Sequence, residues 1–519
     1  MAVSRRFAWW VGNPLAVFLP LQAALLFYNL SLLPIWGDEQ FTLDVITRPW
    51  SEIPAVLRGD IHPPLYYFLA RLWTLLPWPG SIIEQARAFS VLWCLLSTLL
   101  IYRLWVRRWR ASVQFWFLLL WTLSPALVLY ARMARSYSLQ LFCGCLLLYA
   151  ALRFLDNPSR KRTLLLFSLA AALTLYVHYL PGVTLLSATA IDYCWRRRQN
   201  PAVYRWEPLL VSGAAIGLLY LPWAWTLIAS LRRVAGSEAY RLTGNYAVEH
   251  AVRAAYWFVS FTFGESLPWG TILGGVLLTP LILWVSWKRL QDRAELFESS
   301  FGRLPVLAMA FAYLGTAMWV AVPFTPARSL FLLPFYLLWL TDASLQRVKP
   351  GHVVRFGLLL VWAGALGSYL QRDGFLNKGY LTPFDQMAAQ IRNQSSPAST
   401  LVVIDGYNVD PKPVAAELCG DYHCIVVSSE EGQQSARRAA EQDRAEAVWY
   451  LRSTHDVSPG AIHGGLEEAF AGRYSVRRHF YLPYSQAERS MLRLIGWRDP
   501  PQHFYQMLEF RSGGSASPP

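Results

Sequence analysis

The chain is a succession of apolar runs, most of them long enough to cross a bilayer. A helical span needs about 17–25 predominantly apolar residues. Stretches of that kind stand near 11–33, 86–105, 113–130, 138–155, 163–179, 181–195, 208–229, 269–287, 304–322, 329–345 and 356–371. A further stretch, 57–79, is crowded by Pro63, Pro64, Pro77 and Pro79 and reads as interfacial, because proline breaks helix interiors. Of 519 residues, 54% are hydrophobic and only 15% charged, and the mean hydropathy is +0.27. A soluble chain cannot hide that much apolar surface. The expected fold class is an α-helical multi-span membrane protein with about eleven transmembrane helices.

Charge follows the same logic. The formal net charge is +14, from 47 Lys+Arg against 33 Asp+Glu. The basic residues cluster in every second loop: Arg5–Arg6, Arg107–Arg110, Arg160–Arg162, Arg196–Arg198, Lys288–Arg293 and Arg347–Lys349. That is the positive-inside pattern, so these loops are expected in the cytoplasm and no nucleic-acid partner is needed. The segment 230–255, with Arg232, Arg233, Arg241 and Arg253, is discordant. The first apolar run, 7–33, is too long for the core of a cleaved signal peptide. An odd number of spans places the C-terminal region outside, and a bacterial plasma membrane is the expected location.

The expected domains are a membrane region 1–371, with a long first outer loop 34–85, an extracytoplasmic α/β domain 372–511 and a disordered tail 512–519. Within the loop, Asp44–Leu57 has the spacing of a surface helix. Beyond residue 371, Thr382-Pro383-Phe384-Asp385 reads as a cap followed by proline at the first helical position. Strands at Leu401–Ile404, Cys424–Val427 and Ala447–Leu451 then alternate with helices near Pro413–Leu418 and Glu430–Ala445, the pattern of a layered α/β unit. Cys94, Cys143, Cys145 and Cys194 lie in apolar runs as small core residues. Cys419 and Cys424, in Cys-Gly-Asp-Tyr-His-Cys, suit either a short-loop disulfide or a metal site with His423.

Four segments carry chemistry. Asp38–Glu39 is an acidic pair just past the first span, where charge is costly and usually functional. His62 precedes Pro63-Pro64, which disfavour helix for it, and Tyr66 and Tyr67 follow. Tyr130-Ala131-Arg132-Met133-Ala134-Arg135-Ser136-Tyr137 puts two arginines at the outer end of the third span, against the positive-inside trend, and a substrate phosphate would account for them. Arg328 lies in Pro323-Phe324-Thr325-Pro326-Ala327-Arg328-Ser329, and His178-Tyr179 ends the fifth span. Each segment also has a bland reading as a hydrated or snorkelling group.

Taken together, the Asp-Glu pair, His-Pro-Pro-Leu-Tyr-Tyr-Phe, Arg-Ser-Tyr and Pro-Ala-Arg-Ser-Leu-Phe-Leu-Leu-Pro resemble, in their order, the GT-C glycosyltransferases of the protein-mannosyltransferase and aminoarabinose-transferase type. The resemblance covers about residues 7–371. It implies transfer of a sugar from a polyprenyl-phosphate donor to an acceptor hydroxyl of a lipid, glycan or protein at the outer face. It makes Asp38 the catalytic base with Glu39 beside it. His62, Tyr66, Arg135, Tyr137, His178 and Arg328 become the donor-phosphate and substrate groups. No resident cofactor is implied, and a divalent metal stays open. One departure stands out: some members carry a second acidic residue after the third span, where this chain has Arg135-Ser136-Tyr137. A transporter or flippase of lipid-linked sugars is the rival; it would more often show internal repeats and ionisable residues at mid-membrane.

Overall fold

The computed structural model describes residues 13–59, 62–235, 246–292, 299–318, 326–346, 349–405, 415, 418–427, 430–442, 445–453, 474–494 and 502–512. The chain divides into two compact units. The first is built from 1–32, 41–241 and 250–376, and the second from 33–40, 242–249 and 377–519.

The first unit is helical. Its helices are α1 (Leu15–Phe27), α2 (Gly37–Thr47, whose first turn belongs to the second unit), α3 (Ile53–Arg58), α4 (Leu65–Trp73), α5 (Ile82–Leu104), α6 (Ala111–Leu123) and α7 (Pro125–Ala131). There follow α8 (Tyr137–Asp156), α9 (Lys161–Val177), α10 (Tyr179–Gln199), α11 (Trp206–Ala235), α12 (Tyr246–Phe263), α13 (Trp269–Asp292), α14 (Ser300–Met318), α15 (Leu333–Ser344) and α16 (Lys349–Leu370).

Among the described residues every apolar stretch read from the sequence contains helix, but the count of eleven spans is not confirmed. Among the described residues five helices are long and apolar enough to cross a membrane: α5, α8, α11, α13 and α16. A sixth span arises if α6 and α7, bent by 52° at their junction, count as one. The bend has a local cause. Pro125 lacks the N–H that would continue α6, and Ser124 caps the new helix by accepting from Leu127 N at 3.4 Å.

Burial orders the spans. The apolar window of α8 is 72% buried, against 22% for α11. α8 is therefore central, and it packs on α5, α9 and the short 3-10 segment Pro326–Leu332. At Gly144 of α8 an added Cβ would stand 2.7 Å from Phe331 Cβ, so the missing side chain is what seats that segment.

Two helices differ from expectation. The expected helix Asp44–Leu57 is instead the end of α2 and the whole of α3, separated by a turn at Arg48–Glu52. Pro49 and Pro54 explain it, since proline cannot continue the preceding helix and suits the first turn of the next. α2 consequently begins earlier and takes in the acidic pair. In the discordant basic segment, residues 246–255 open α12, an amphipathic helix not expected as a span.

The second unit holds a five-stranded sheet in the order β2-β1-β3-β5-β4. β1 (Thr400–Asp405) pairs in parallel with β2 (His423–Val427) and β3 (Ala447–Ser453). β5 (His503–Ser512) runs antiparallel to β3 and to β4 (Tyr474–Pro483). Alternate side chains of the strands build two cores. Val402, Ile404, Trp449, Leu451 and Met507 face α17 (Phe384–Gln394), while Leu401, Val403, Val448, Tyr450 and Leu508 face α18 (Glu430–Gln442). α19 (Gln486–Leu494), β4 and β5 were not expected. The remaining expected strands and the charged helix are present within a few residues.

The disulfide reading holds for Cys419 and Cys424, which are bonded with Cα atoms 5.4 Å apart. Thr382 does not cap α17. Pro383 occupies the cap position, and Thr382 Oγ1 donates to Ile35 O at 3.0 Å. Most of the expected helix Pro413–Leu418, the tail from 513, Asp60 and Pro323–Thr325 lie outside the described residues.

Candidate active site

Arg135 is the centre of the candidate site. It lies in the tight link between α7 and α8, closed by Arg135 N donating to Met133 O at 2.7 Å. Its side chain is buried, 3% exposed. Nη2 meets His62 Nε2 at 2.8 Å, and Nη1 lies 3.4 Å from both Thr42 Oγ1 and Tyr67 Oη. A guanidinium only donates, so His62 offers its Nε2 lone pair to this bond.

His62 owes its place to the prolines after it. Pro64 is the cap of α4, and the turn holds the imidazole beside the Phe41 ring, at 6.0 Å, and the Tyr67 ring, at 6.4 Å. Tyr66 is buried, with its ring 5.3 Å from Tyr67 and 5.9 Å from Phe89. Tyr137 opens α8 with its ring 6.0 Å from that of Tyr130.

His178 sits between α9 and α10 and caps the latter, its Nδ1 accepting from Leu180 N at 3.1 Å. Arg328, His62 and Arg135 all act on it electrostatically. Arg328 comes from the 3-10 segment that Gly144 seats, and it is half-buried. Four groups far apart in sequence, His62, Arg135, His178 and Arg328, thus share one neighbourhood in the first unit.

The two arginines of the 130–137 segment separate. Arg132 turns to the chain itself. Its Nη2 donates to Tyr28 O at 2.7 Å and to Asn29 O, covering the carbonyls that α1 leaves open, and its guanidinium lies 5.3 Å from the Tyr369 ring centre.

Asp38 and Glu39 occupy the first turn of α2. That turn belongs to the second unit, where the Trp36 ring packs on Tyr380 at 5.0 Å. Glu39 is buried, 1% exposed, whereas Asp38 is half-buried. Thr42, one turn after Asp38, belongs to the first unit and accepts from Arg135. Thr42 was missed from sequence, and Tyr67 was named in the His62 segment without a role. Tyr67 had a signal, being the neighbour of Tyr66 on a four-residue path from His62. Thr42 had none without knowing where α2 begins. Among the described residues no group of three or more His, Cys, Asp or Glu is placed to hold a metal.

By sequence the chain matches no protein-family model and no curated protein. By structure it is similar to ArnT from Cupriavidus metallidurans in the apo state, with a TM-score of 0.51 at 12% identity over 97% of this chain and 98% of that one. It is equally similar to the same protein bound to undecaprenyl phosphate, with a TM-score of 0.51 at 12% identity over 95% and 97% of the two chains. The chain has the GT-C fold. A looser likeness links it to the oligosaccharyltransferase of Archaeoglobus fulgidus, with a TM-score of 0.47 at 13% identity over 91% of this chain and 72% of that one.

The gathered groups are the guanidiniums of Arg135 and Arg328, with imidazoles and hydroxyls around them. Such a set suits a phosphate, because a planar guanidinium can bond two oxygens at once and a protein-held charge needs little reorganisation.

Proposed function

We propose that this protein is a membrane glycosyltransferase. It moves a sugar from a polyprenyl-phosphate donor to an acceptor hydroxyl at the extracytoplasmic face, with inversion. The observation that carries the reading is the buried Arg135, held by His62, Thr42 and Tyr67 with Arg328 and His178 nearby. The ArnT structure of the same fold holds undecaprenyl phosphate.

The chemistry needs few groups. The acceptor oxygen forms a bond to the anomeric carbon as the bond from that carbon to the phosphate oxygen breaks. The bonding pair leaves with the phosphate. A polyprenyl phosphate is a stable anion, so it departs without a general acid, provided that cations balance the growing charge. Arg135 and Arg328 take that role. The acceptor's proton goes to a carboxylate in hydrogen-bond reach. Asp38 takes that role, since its side chain is half-buried and lies in the first helical turn of α2. Glu39 supports the turn from its buried position.

The test is turnover of a labelled polyprenyl-phosphate sugar by purified protein in lipid. Wild type is expected to release polyprenyl phosphate together with a glycosylated acceptor. Asp38→Asn is expected to fold and insert but to lose transfer by at least about a hundredfold. Near-normal turnover by Asp38→Asn removes Asp38 as base. Movement of the donor across vesicles without product supports the flippase reading instead.

A further inference from the structure

Glu265 is a buried carboxylate with no part in the reading above. It lies in the loop 264–268 between α12 and α13 and is 1% exposed. Three hydroxyls converge on it. Tyr130 donates to Oε1, Ser260 donates to Oε1 at 3.1 Å, and the Tyr256 hydroxyl also bonds the carboxyl. Tyr130 and Ser260 are themselves 2.9 Å apart.

The backbone around Glu265 is shaped to put it there. Gly264 has a φ of 94°, and a Cβ at that position would stand 2.5 Å from Pro125 Cβ. Only glycine lets the loop close on the start of α7, the helix that carries Tyr130. The far side of the loop is clamped by Leu267 N to Gly374 O at 2.7 Å, Leu376 N to Glu265 O at 2.8 Å, and Ser266 Oγ to Asp373 O at 2.9 Å. Burying a carboxyl costs several kcal/mol unless hydrogen bonds offset it. A loop anchored this firmly, around a group that expensive, asks for a role beyond packing.

The cluster adjoins the Arg135 site. Tyr130 meets the Tyr137 ring at 6.0 Å, Tyr256 interacts with Tyr137 electrostatically, and Tyr137 is two residues from Arg135. Tyr130 lies in the last turn of α7 and Tyr137 opens α8, so the cluster holds both ends of the link that carries Arg135.

We propose that Glu265 is a positioning residue for transfer: by holding the Tyr130 hydroxyl at the end of α7 and the Tyr256 hydroxyl beside Tyr137 at the start of α8, it fixes the link that carries Arg135. The inference rests on the glycosyltransferase reading. Glu265 touches no reacting atom; it acts through Tyr130 and Tyr256 on the link that places Arg135.

Burial raises the Glu265 carboxyl to about 6, against the lowering effect of its three hydroxyl donors. Tyr130, Tyr256, Tyr137 and Ser260, the groups that face it, carry no charge near that pH. Above pH 6 the carboxylate accepts from all three hydroxyls. Below it the carboxyl is protonated and the arrangement loosens.

The experiment compares wild type, Glu265→Gln, Tyr256→Phe and the double variant, each with a thermal melt, using a labelled polyprenyl-phosphate sugar across pH 5–8. Expected is a fall of about tenfold in kcat/KM for Glu265→Gln. A similar fall is expected for Tyr256→Phe, with the double variant no worse than either single one. The acid limb near pH 6 in the wild-type profile is expected to flatten in Glu265→Gln. Tyr256→Phe removes a single oxygen, so it keeps the test valid if Glu265→Gln folds poorly. Unchanged kinetics per folded molecule, with only the melting point lowered, overturns the proposal and makes the cluster structural. Additive losses in the double variant overturn it too. No product from wild type under any condition fails the glycosyltransferase reading itself.

Discussion

Arg135 shows how much one residue can be asked to do. Its guanidinium spans His62 on one nitrogen and Thr42 with Tyr67 on the other. A lysine keeps the charge but places it at one point on a flexible stem. Arg135→Lys is therefore expected to leave the protein folded and to cut kcat/KM for the donor by about a hundredfold. Arg135 and Arg132 are both buried arginines of one segment, yet they part in this test. Arg132→Lys is expected to lower the melting temperature, by opening the end of α1, with kinetics per folded molecule near normal. Donor titrations and thermal melts on the purified pair decide it; equal kinetic losses in both variants would return Arg132 to the site. The sequence showed both arginines against the charge trend but not which was which. Only the α1 carbonyls and Tyr369, far apart in the chain, make the distinction.

Among elements, legibility followed the range of the forces involved. Apolar runs became helices because hydropathy is a local property. Pro63-Pro64 turned His62 as read, because proline acts on its neighbours. The start of α2 was missed because the acidic pair read as loop, and β4 and β5 because their pairing lies with a distant strand, β3. Glu265 was passed over as a single acid in a short loop. Its signal was present in Gly264-Glu265-Ser266, a glycine and a charge set between two apolar helices. The loop supplies an element-scale prediction. Gly264→Ala forces a side chain into a left-handed backbone and against Pro125. The cost is expected to be about 1–3 kcal/mol, read as a lower melting temperature in detergent. Because α7 is displaced with it, the Tyr130–Glu265 bond is expected to weaken, and transfer to fall with stability. A variant that melts like wild type would show that the loop has room the geometry denies.

At the scale of the molecule, the compartment of each unit decides whether the proposed chemistry has its substrate. The bonded Cys419 and Cys424 speak to that, since disulfides persist in oxidising compartments. The four other cysteines are free, and Cys94, Cys143 and Cys145 are buried in helices of the first unit. Closing so short a loop stabilises the folded chain by about 2 kcal/mol on the chain-entropy model, so the bond is worth keeping only where it can form. If the second unit is exported, a membrane-impermeant maleimide applied to intact cells should label Cys419 and Cys424 after mild reduction and leave them unlabelled before it. Cys419→Ser with Cys424→Ser should abolish that labelling. Labelling only in broken cells would place the second unit in the cytoplasm. It would also put the acidic turn of α2, which belongs to that unit, on the wrong side for an exported acceptor, and the proposed role of Asp38 would fall with it.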